Sequence, residues 1–218
     1  MKKFELTAET IEYRGRTLHK IRAVRDFDDV QKGDLGGWVE KESNLNHGGN
    51  CWIYDDAKVF DDGFVLNNAK IRGQAIVKDK AAVIGNAELN NMASAENNCF
   101  VSGHAKIKDY AKIGETARIS EMAQIEGLVK IKGNTRISGT ALIKKQYDFA
   151  TVEGFGRTYR KTIFYKCADG VVRVDCGCFR GTIEEFKKIV GKTHKNNKKM
   201  KREYLKIAKL MELHFEEE

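Results

Sequence analysis

From Ile53 to Ile143 an aliphatic residue recurs every six positions, and this period constrains the fold more than any other feature of the chain. The series runs Ile53, Val59, Val65, Ile71, Val77, Val83, Leu89, Ala95, Val101, Ile107, Ile113, Ile119, Ile125, Ile131, Ile137 and Ile143. Two residues before nearly every member stands a small one, from Cys51, Ala57 and Gly63 to Ala123, Thr135 and Ala141; Val129 is the one larger exception. A helix repeats about every 3.6 residues and a half-buried strand about every 2, so neither alone gives a period of six.

A short strand with its central residue pointing inward, followed by a tight turn, does give that period. Three such units close a triangular coil, which is the hexapeptide-repeat β-helix pattern. The aliphatic residue fills the interior, and the residue two before it must be small because it sits at a corner. Asn68, Gly73, Gly85, Asn86, Gly103, Gly127, Gly133 and Gly139 are the residues expected at tight corners. Sixteen rungs predict about five coils and, at about 4.8 Å per coil, a prism roughly 25 Å long. A pentapeptide solenoid would show a period of five and is excluded.

The flanks lack the period. Residues 1–50 read as a cap, because an open solenoid end exposes apolar side chains and unpaired strand edges. A β-hairpin turning at Arg14-Gly15-Arg16 opens the cap, and the glycine-rich GDLGGWVE box lays Trp38 and Val39 over the first coil. The repeat itself is assigned to 51–144 and a C-terminal ββαα module to 145–218. Lys144 to Thr158 is a transition in this reading, followed by a hairpin of Thr162–Lys166 and Val171–Asp175. Thr182 and Glu185 then form a capping box that opens a helix with Ile183, Phe186, Ile189 and Val190 on its face. A last helix from about Lys198 carries Tyr204, Ile207, Ala208, Met211 and Phe215 on one side. The expected fold class is therefore mainly β: a parallel β-helix with an N-terminal β-hairpin cap and a C-terminal α+β module.

The segments LTAETIEYRGRTLHKIRAVRDF, GDLGGWVE, NCWIYDDAKV and GCFRGTIEEFKKIVGKTHK resemble a family of phage and prophage proteins that join hexapeptide repeats to a small C-terminal module. That family is similar to the YdcK-type bacterial proteins labelled as transferases. The resemblance implies a left-handed β-helix and a phage or prophage origin, hence a host-cell cytoplasmic location. It carries over no catalytic residue.

No apolar run is long enough to span a bilayer, and MKKFELTAET lacks the apolar stretch of a signal peptide, so a cytoplasmic protein without membrane partners is expected. The five cysteines do not form a disulfide framework; Cys51 and Cys99 occupy small-residue positions of the repeat. Cys176 and Cys178 with a distant His194 make a weak zinc pattern, and no metal or cofactor is expected. The net charge is +8, with eight basic residues and no acidic one between Lys187 and Arg202. Lys195, Lys198, Lys199, Lys201 and Arg202 of this segment are candidate nucleic-acid contacts, though without the interleaved aromatics of a stacking surface.

Outward positions stack in columns 18 residues apart. The first face, from Trp52/Tyr54 to Leu142/Lys144, alternates in sign and reads as a solvated ladder. The second ends in unopposed Lys112, Lys130 and Lys132. The third carries Phe64, Leu66, Ile84 and Phe100, then Arg118 and Arg136 with Ser120 and Ser138. The apolar column needs a cover: the C-terminal module, a second copy in a dimer or trimer, or a target protein. The two arginines, with the late lysines, are placed to grip an anionic ligand or partner.

Hexapeptide β-helices are best known as trimeric acyltransferases with a catalytic histidine near a subunit boundary. His104 is the one histidine in the regular repeat, preceded by His47. A loop interrupting the repeat usually builds the pocket of such an enzyme, and here the period is unbroken. A three-histidine metal site of the γ-carbonic-anhydrase kind lacks its histidines. The reading favoured is a non-enzymatic phage-type binding protein that antagonises host defence by engaging a host protein or sequestering an anionic ligand. Acyl transfer and nucleic-acid binding are the alternatives.

Overall fold

A computed structural model describes residues 1–156 and 159–216. Strands β1 (Phe4–Tyr13) and β2 (Arg16–Ala23) form the expected antiparallel hairpin, with Arg14 and Gly15 in left-handed conformation at its turn. Strand β3 (Leu35–Val39) follows, then sixteen two-residue strands, β4 (Trp52–Ile53) to β19 (Leu142–Ile143), one at each rung of the six-residue series. These stack as three parallel sheets, the faces of a β-solenoid. Every inner residue from Ile53 to Ile143 is fully buried. The period thus reports the inside of the coil directly.

The solenoid has about six coils rather than five. The sixth lies within the expected cap, where Val39 pairs in parallel with Val59 and Leu45 with Val65, both buried. Eight residues separate Leu45 from Ile53 instead of six, which hides this first coil from a search at constant period. Trp38 and Val39 therefore lie in the wall of the prism, not over its end. The glycines of the GDLGGWVE box allow it: a Cβ on Gly36 would lie 2.7 Å from the Ile53 carbonyl oxygen, and one on Gly37 2.5 Å from that of Ala57. Outside the wall, Trp38 packs with Leu18 and Phe60, so the hairpin continues one face as the eight-stranded sheet β1-β2-β3-β5-β8-β11-β14-β17.

The N-terminal end of the core is closed by Phe4, Ile21, Phe27 and Val30. Lys3 is wholly buried among them, its Nζ donating to the carbonyl oxygens of Cys51 at 2.8 Å and Gly49 at 3.3 Å. Burial pushes the Lys3 ammonium down and the neighbouring Cys51 thiol up. His47 stacks on Phe4; its Nδ1 accepts from the Lys3 amide at 3.2 Å and its Nε2 lies 2.7 Å from Glu42. That histidine is part of the plug.

At the corners the left-handed residue is the second after each inner residue from Ile53 to Ile137, so it is Asn67 and Gly85 rather than Asn68 and Asn86. Asp55, Asp79, Asn97, Asp109, Glu115 and Glu121 hold the same conformation, each accepting from the backbone amide 18 residues on, at 2.8–3.0 Å. A carboxylate or carboxamide thus stitches each coil to the next and offsets the backbone strain of a non-glycine residue there. Asn68 and Asn86 form a second ladder one position later, with Asn68 Nδ2 donating to Asn86 Oδ1 at 3.1 Å.

At the other end, β21 (Thr162–Lys166) and β22 (Val172–Cys176) form the expected hairpin at the centre of a four-stranded antiparallel sheet. Its outer strands are β20 (Phe149–Val152), inside the stretch expected to be a transition, and β23 (Phe179–Thr182). Ile163, Tyr165 and Cys167 complete the solenoid core, and Phe164 and Val174 face helices α1 (Ile183–Thr193) and α2 (Lys198–Phe215). The capping box opens α1 as expected, the Thr182 hydroxyl accepting from the Glu185 amide at 3.2 Å. Ile189 is 39% exposed and does not share the buried face assigned to it. Gln146 closes the last strand of the second face: its Oε1 accepts from Lys130 N at 2.9 Å and its Nε2 donates to Lys130 O at 3.1 Å. Among the described residues no helix is long and apolar enough to cross a membrane.

Candidate functional site

The C-terminal sheet seats on the last coil, and the seam leaves a cleft of about 480 Å³. Its walls are Asn134 and Arg136 from the last coil, and Glu153, Tyr159, Arg160, Lys161, Ile163, Asp175 and Gly177 from the module. Arg136 lies on the outer side of β18 (Arg136–Ile137), and Arg160 and Lys161 stand just before β21. Gly177 has a φ of +67°, and a Cβ there would overlap the Arg160 guanidinium. A glycine at that turn therefore lets the arginine lie across it.

Three cations and two carboxylates line the cleft. Lys161 Nζ lies 3.7 Å from Glu153, and Asp175 lies 3.7 Å from Arg180, which also pairs with Glu121 at 2.8 Å. Burial raises the Asp175 carboxyl above its ordinary value, and the positive fields of Arg180 and Arg136 work against that rise. The cleft keeps an excess of positive charge beside an exposed tyrosine ring, Tyr159. Chemically, this arrangement suits a small ligand with more than one anionic oxygen and a flat or apolar part.

The structure divides the anion-gripping residues expected from the sequence. Arg118 and Arg136 are register partners on one face, both exposed, with the Arg118 guanidinium 5.8 Å from the Phe100 ring centre. Lys112 and Lys130 are register partners on another face, with Lys132 beyond them. Of these five, Arg136 lines the seam cleft. Ser138, expected to assist it, is buried.

Phe64, Leu66, Ile84 and Phe100 stack along one face as expected and are partly buried. The C-terminal module packs on the final coil, at β18 and β19, and so seals the end of the prism. Lys198, Lys201 and Arg202 line a shallow depression on α2 with Leu205, Lys206 and Lys209, while Lys195 sits in the connection before the helix and Lys199 is exposed on its first turn. His104 Nε2 lies 3.2 Å from the Asn86 amide, continuing the asparagine ladder. Cys176 and His194 share a cavity of about 190 Å³, but no group of three or more His, Cys, Asp or Glu residues among those described is placed to hold a metal.

Arg160 and Lys161 of the cleft are not among the residues expected from the sequence. Their signal was positional: they stand at the foot of a strand that had to meet the last coil. Nor are Met92, Tyr110 and Leu128, which occupy one corner column 18 residues apart and are 48%, 52% and 78% exposed.

No family model matches the chain. A protein of Escherichia coli (strain K12) named "Uncharacterized acetyltransferase YdcK" is 48% identical to it over 42 residues. Those residues are 19% of this chain and 13% of that relative, so the match spans a small part of both. The similarity agrees with the hexapeptide-repeat β-helix seen in the structure.

Proposed function

We propose that this protein is a non-catalytic binding scaffold that holds an anionic ligand in the seam cleft. One observation carries the reading: Arg136 of the last coil and Arg160 and Lys161 of the C-terminal module converge on a single cleft large enough for a small molecule. Glu153 and Asp175 offset part of that charge, and the net positive balance of the lining, three cations to two carboxylates, complements an anionic ligand. The resemblance to phage and prophage proteins supports the finer form of this reading, in which sequestering such a ligand antagonises a host defence in the host-cell cytoplasm.

Calorimetry with a panel of nucleotides, cyclic dinucleotides and polycarboxylates tests it. At least one class should bind saturably, and Arg136→Glu, an exposed position, should weaken it at least ten-fold without shifting the melting temperature. Binding indifferent to that substitution, or no binding across the panel, would count against the cleft.

Acyl transfer is the second reading, favoured by the short similarity to a protein named as an acetyltransferase. It requires acetyl-CoA binding, and turnover lost in His104→Ala. The Asn86 amide lies 3.2 Å from that ring, so the same substitution also removes a contact of the corner ladder.

A further inference from the structure

The corner of the prism between the first and second faces changes character along its length. Its outermost position reads Asp56, Gln74, Met92, Tyr110, Leu128 and Gln146, polar at both ends and apolar in the middle. Successive corners are stacked directly, with Met92 N donating to Asp109 O at 2.8 Å and Tyr110 N to Gly127 O at 3.1 Å. None of the three apolar side chains belongs to any hydrophobic cluster of the fold. Stacked coil on coil, they present a ridge to solvent, 48%, 52% and 78% exposed in turn. Beyond Gln146, the Tyr147 carbonyl oxygen meets His214 Nε2 at 3.1 Å, next in the chain to the exposed Leu213 of α2.

Lysines border this ridge. Lys108 and Lys112 lie two residues either side of Tyr110, and Lys130 lies two residues after Leu128. Three other outward lysines are neutralised across the coil: Lys78 with Glu96 at 3.4 Å, Lys106 with Glu88 at 3.8 Å, Lys144 with Glu126 at 3.1 Å. Lys112 and Lys130, by contrast, face each other in register as like charges, an arrangement that destabilises a sheet. Among the described residues neither they nor Lys108 has an ion-pair partner.

We infer that this ridge and its lysine border are a docking surface for an acidic amphipathic segment of a partner protein. The apolar side chains take the apolar stripe of the segment, and its carboxylates satisfy Lys108, Lys112 and Lys130. The rung step of about 4.8 Å lies close to the helical pitch of about 5.4 Å, so residues on successive turns of one helix face meet successive rungs. Nucleic acid fits less well: Met92 and Leu128 offer no aromatic face for a base, and Glu126 and Asp109 stand beside the ridge where a phosphate track needs one sign.

A randomised peptide library displayed against the immobilised protein tests this. Selected peptides should place Asp or Glu beside Leu, Ile, Phe or Trp. Their binding should fall at least ten-fold in Leu128→Ser and in Lys112→Glu/Lys130→Glu, and stay unchanged in Arg136→Glu, which disables the seam cleft instead. Circular-dichroism melts, expected to match the parent for these exposed positions, verify that each variant is folded. Selection of peptides without acidic residues, or binding indifferent to the ridge variants, would overturn the inference. Tight binding of an oligo-dT probe lost in the same variants would overturn it in favour of nucleic acid, and a doubled mass in light scattering lost in Leu128→Ser in favour of a second copy.

Discussion

Tyr54 donates a hydrogen bond of 2.6 Å to Asp29, tying the cap to the first regular rung of the solenoid. Lys70 and Arg72, on the same face one coil further on, reach the same carboxylate at 3.2 Å each. Burial opposes ionisation of Asp29, but the donors from Tyr54, Lys70 and Arg72 outweigh it and hold the carboxyl well below the usual range. Burial, then the bond to Asp29, pushes the Tyr54 hydroxyl up to about 12.

The pH dependence follows in sign. A carboxyl whose folded value is depressed contributes stability that is full above its unfolded value, about 3.9, and lost as pH falls through the folded value. Asp29→Asn should therefore lower the melting temperature at pH 7, with the gap to the parent shrinking as pH falls below about 4. A gap constant down to pH 2 would show that the charge of Asp29 contributes nothing.

Inner rungs and outer positions of one strand should differ sharply in mutational cost. Ile107 is fully buried, and Ile107→Ala should cost about 2–5 kcal/mol in urea unfolding. Its neighbour Lys106, paired with Glu88 at 3.8 Å on the surface, should cost no more than about 1 kcal/mol when replaced by alanine.

Two corner glycines of equal conformation should respond unequally. Gly103 and Gly139 have φ of +68° and +66°, but a Cβ on Gly103 meets the Glu121 amide nitrogen at 2.7 Å, whereas on Gly139 it meets only the flexible Glu121 side chain at 3.8 Å. Gly139→Ala should cost about 1–2 kcal/mol for the left-handed backbone. Gly103→Ala should cost at least about 1 kcal/mol more, because backbone must move.

Native thiol labelling should distinguish the cysteines. Cys178 is exposed and should react promptly, a phase lost in Cys178→Ser. Cys51, Cys99 and Cys167 are buried and should label only on unfolding; burial also pushes the Cys99 thiol up to about 12. Prompt labelling of Cys99 would mean that the coils open locally.

The sequence made the solenoid legible because each unit of six residues samples the same inner environment, and Val83 or Ile119 reports burial without knowledge of its neighbours. The hairpin at Gly15 and the box at Thr182 and Glu185 are local signals of the same kind. Strand β20 was not legible, since Phe149–Val152 has no alternation of its own and becomes a strand only by pairing with Thr162–Lys166. The cleft was legible only at Arg136, because Arg160 and Lys161 acquire their place when the module docks. The ridge was hidden for another reason. The outward columns of the faces flank each inner residue, whereas Met92, Tyr110 and Leu128 stand three residues after one, at a corner that belongs to no face.

The carboxamide of Gln146 has a consequence for assembly. A β-solenoid with a bare final coil is a template on which another solenoid can continue end to end, as a filament. Here one side chain mimics the missing peptide group at Lys130, the C-terminal sheet roofs the remaining coil, and buried Lys3 with Phe4 stoppers the opposite end. Axial growth is therefore blocked at both poles.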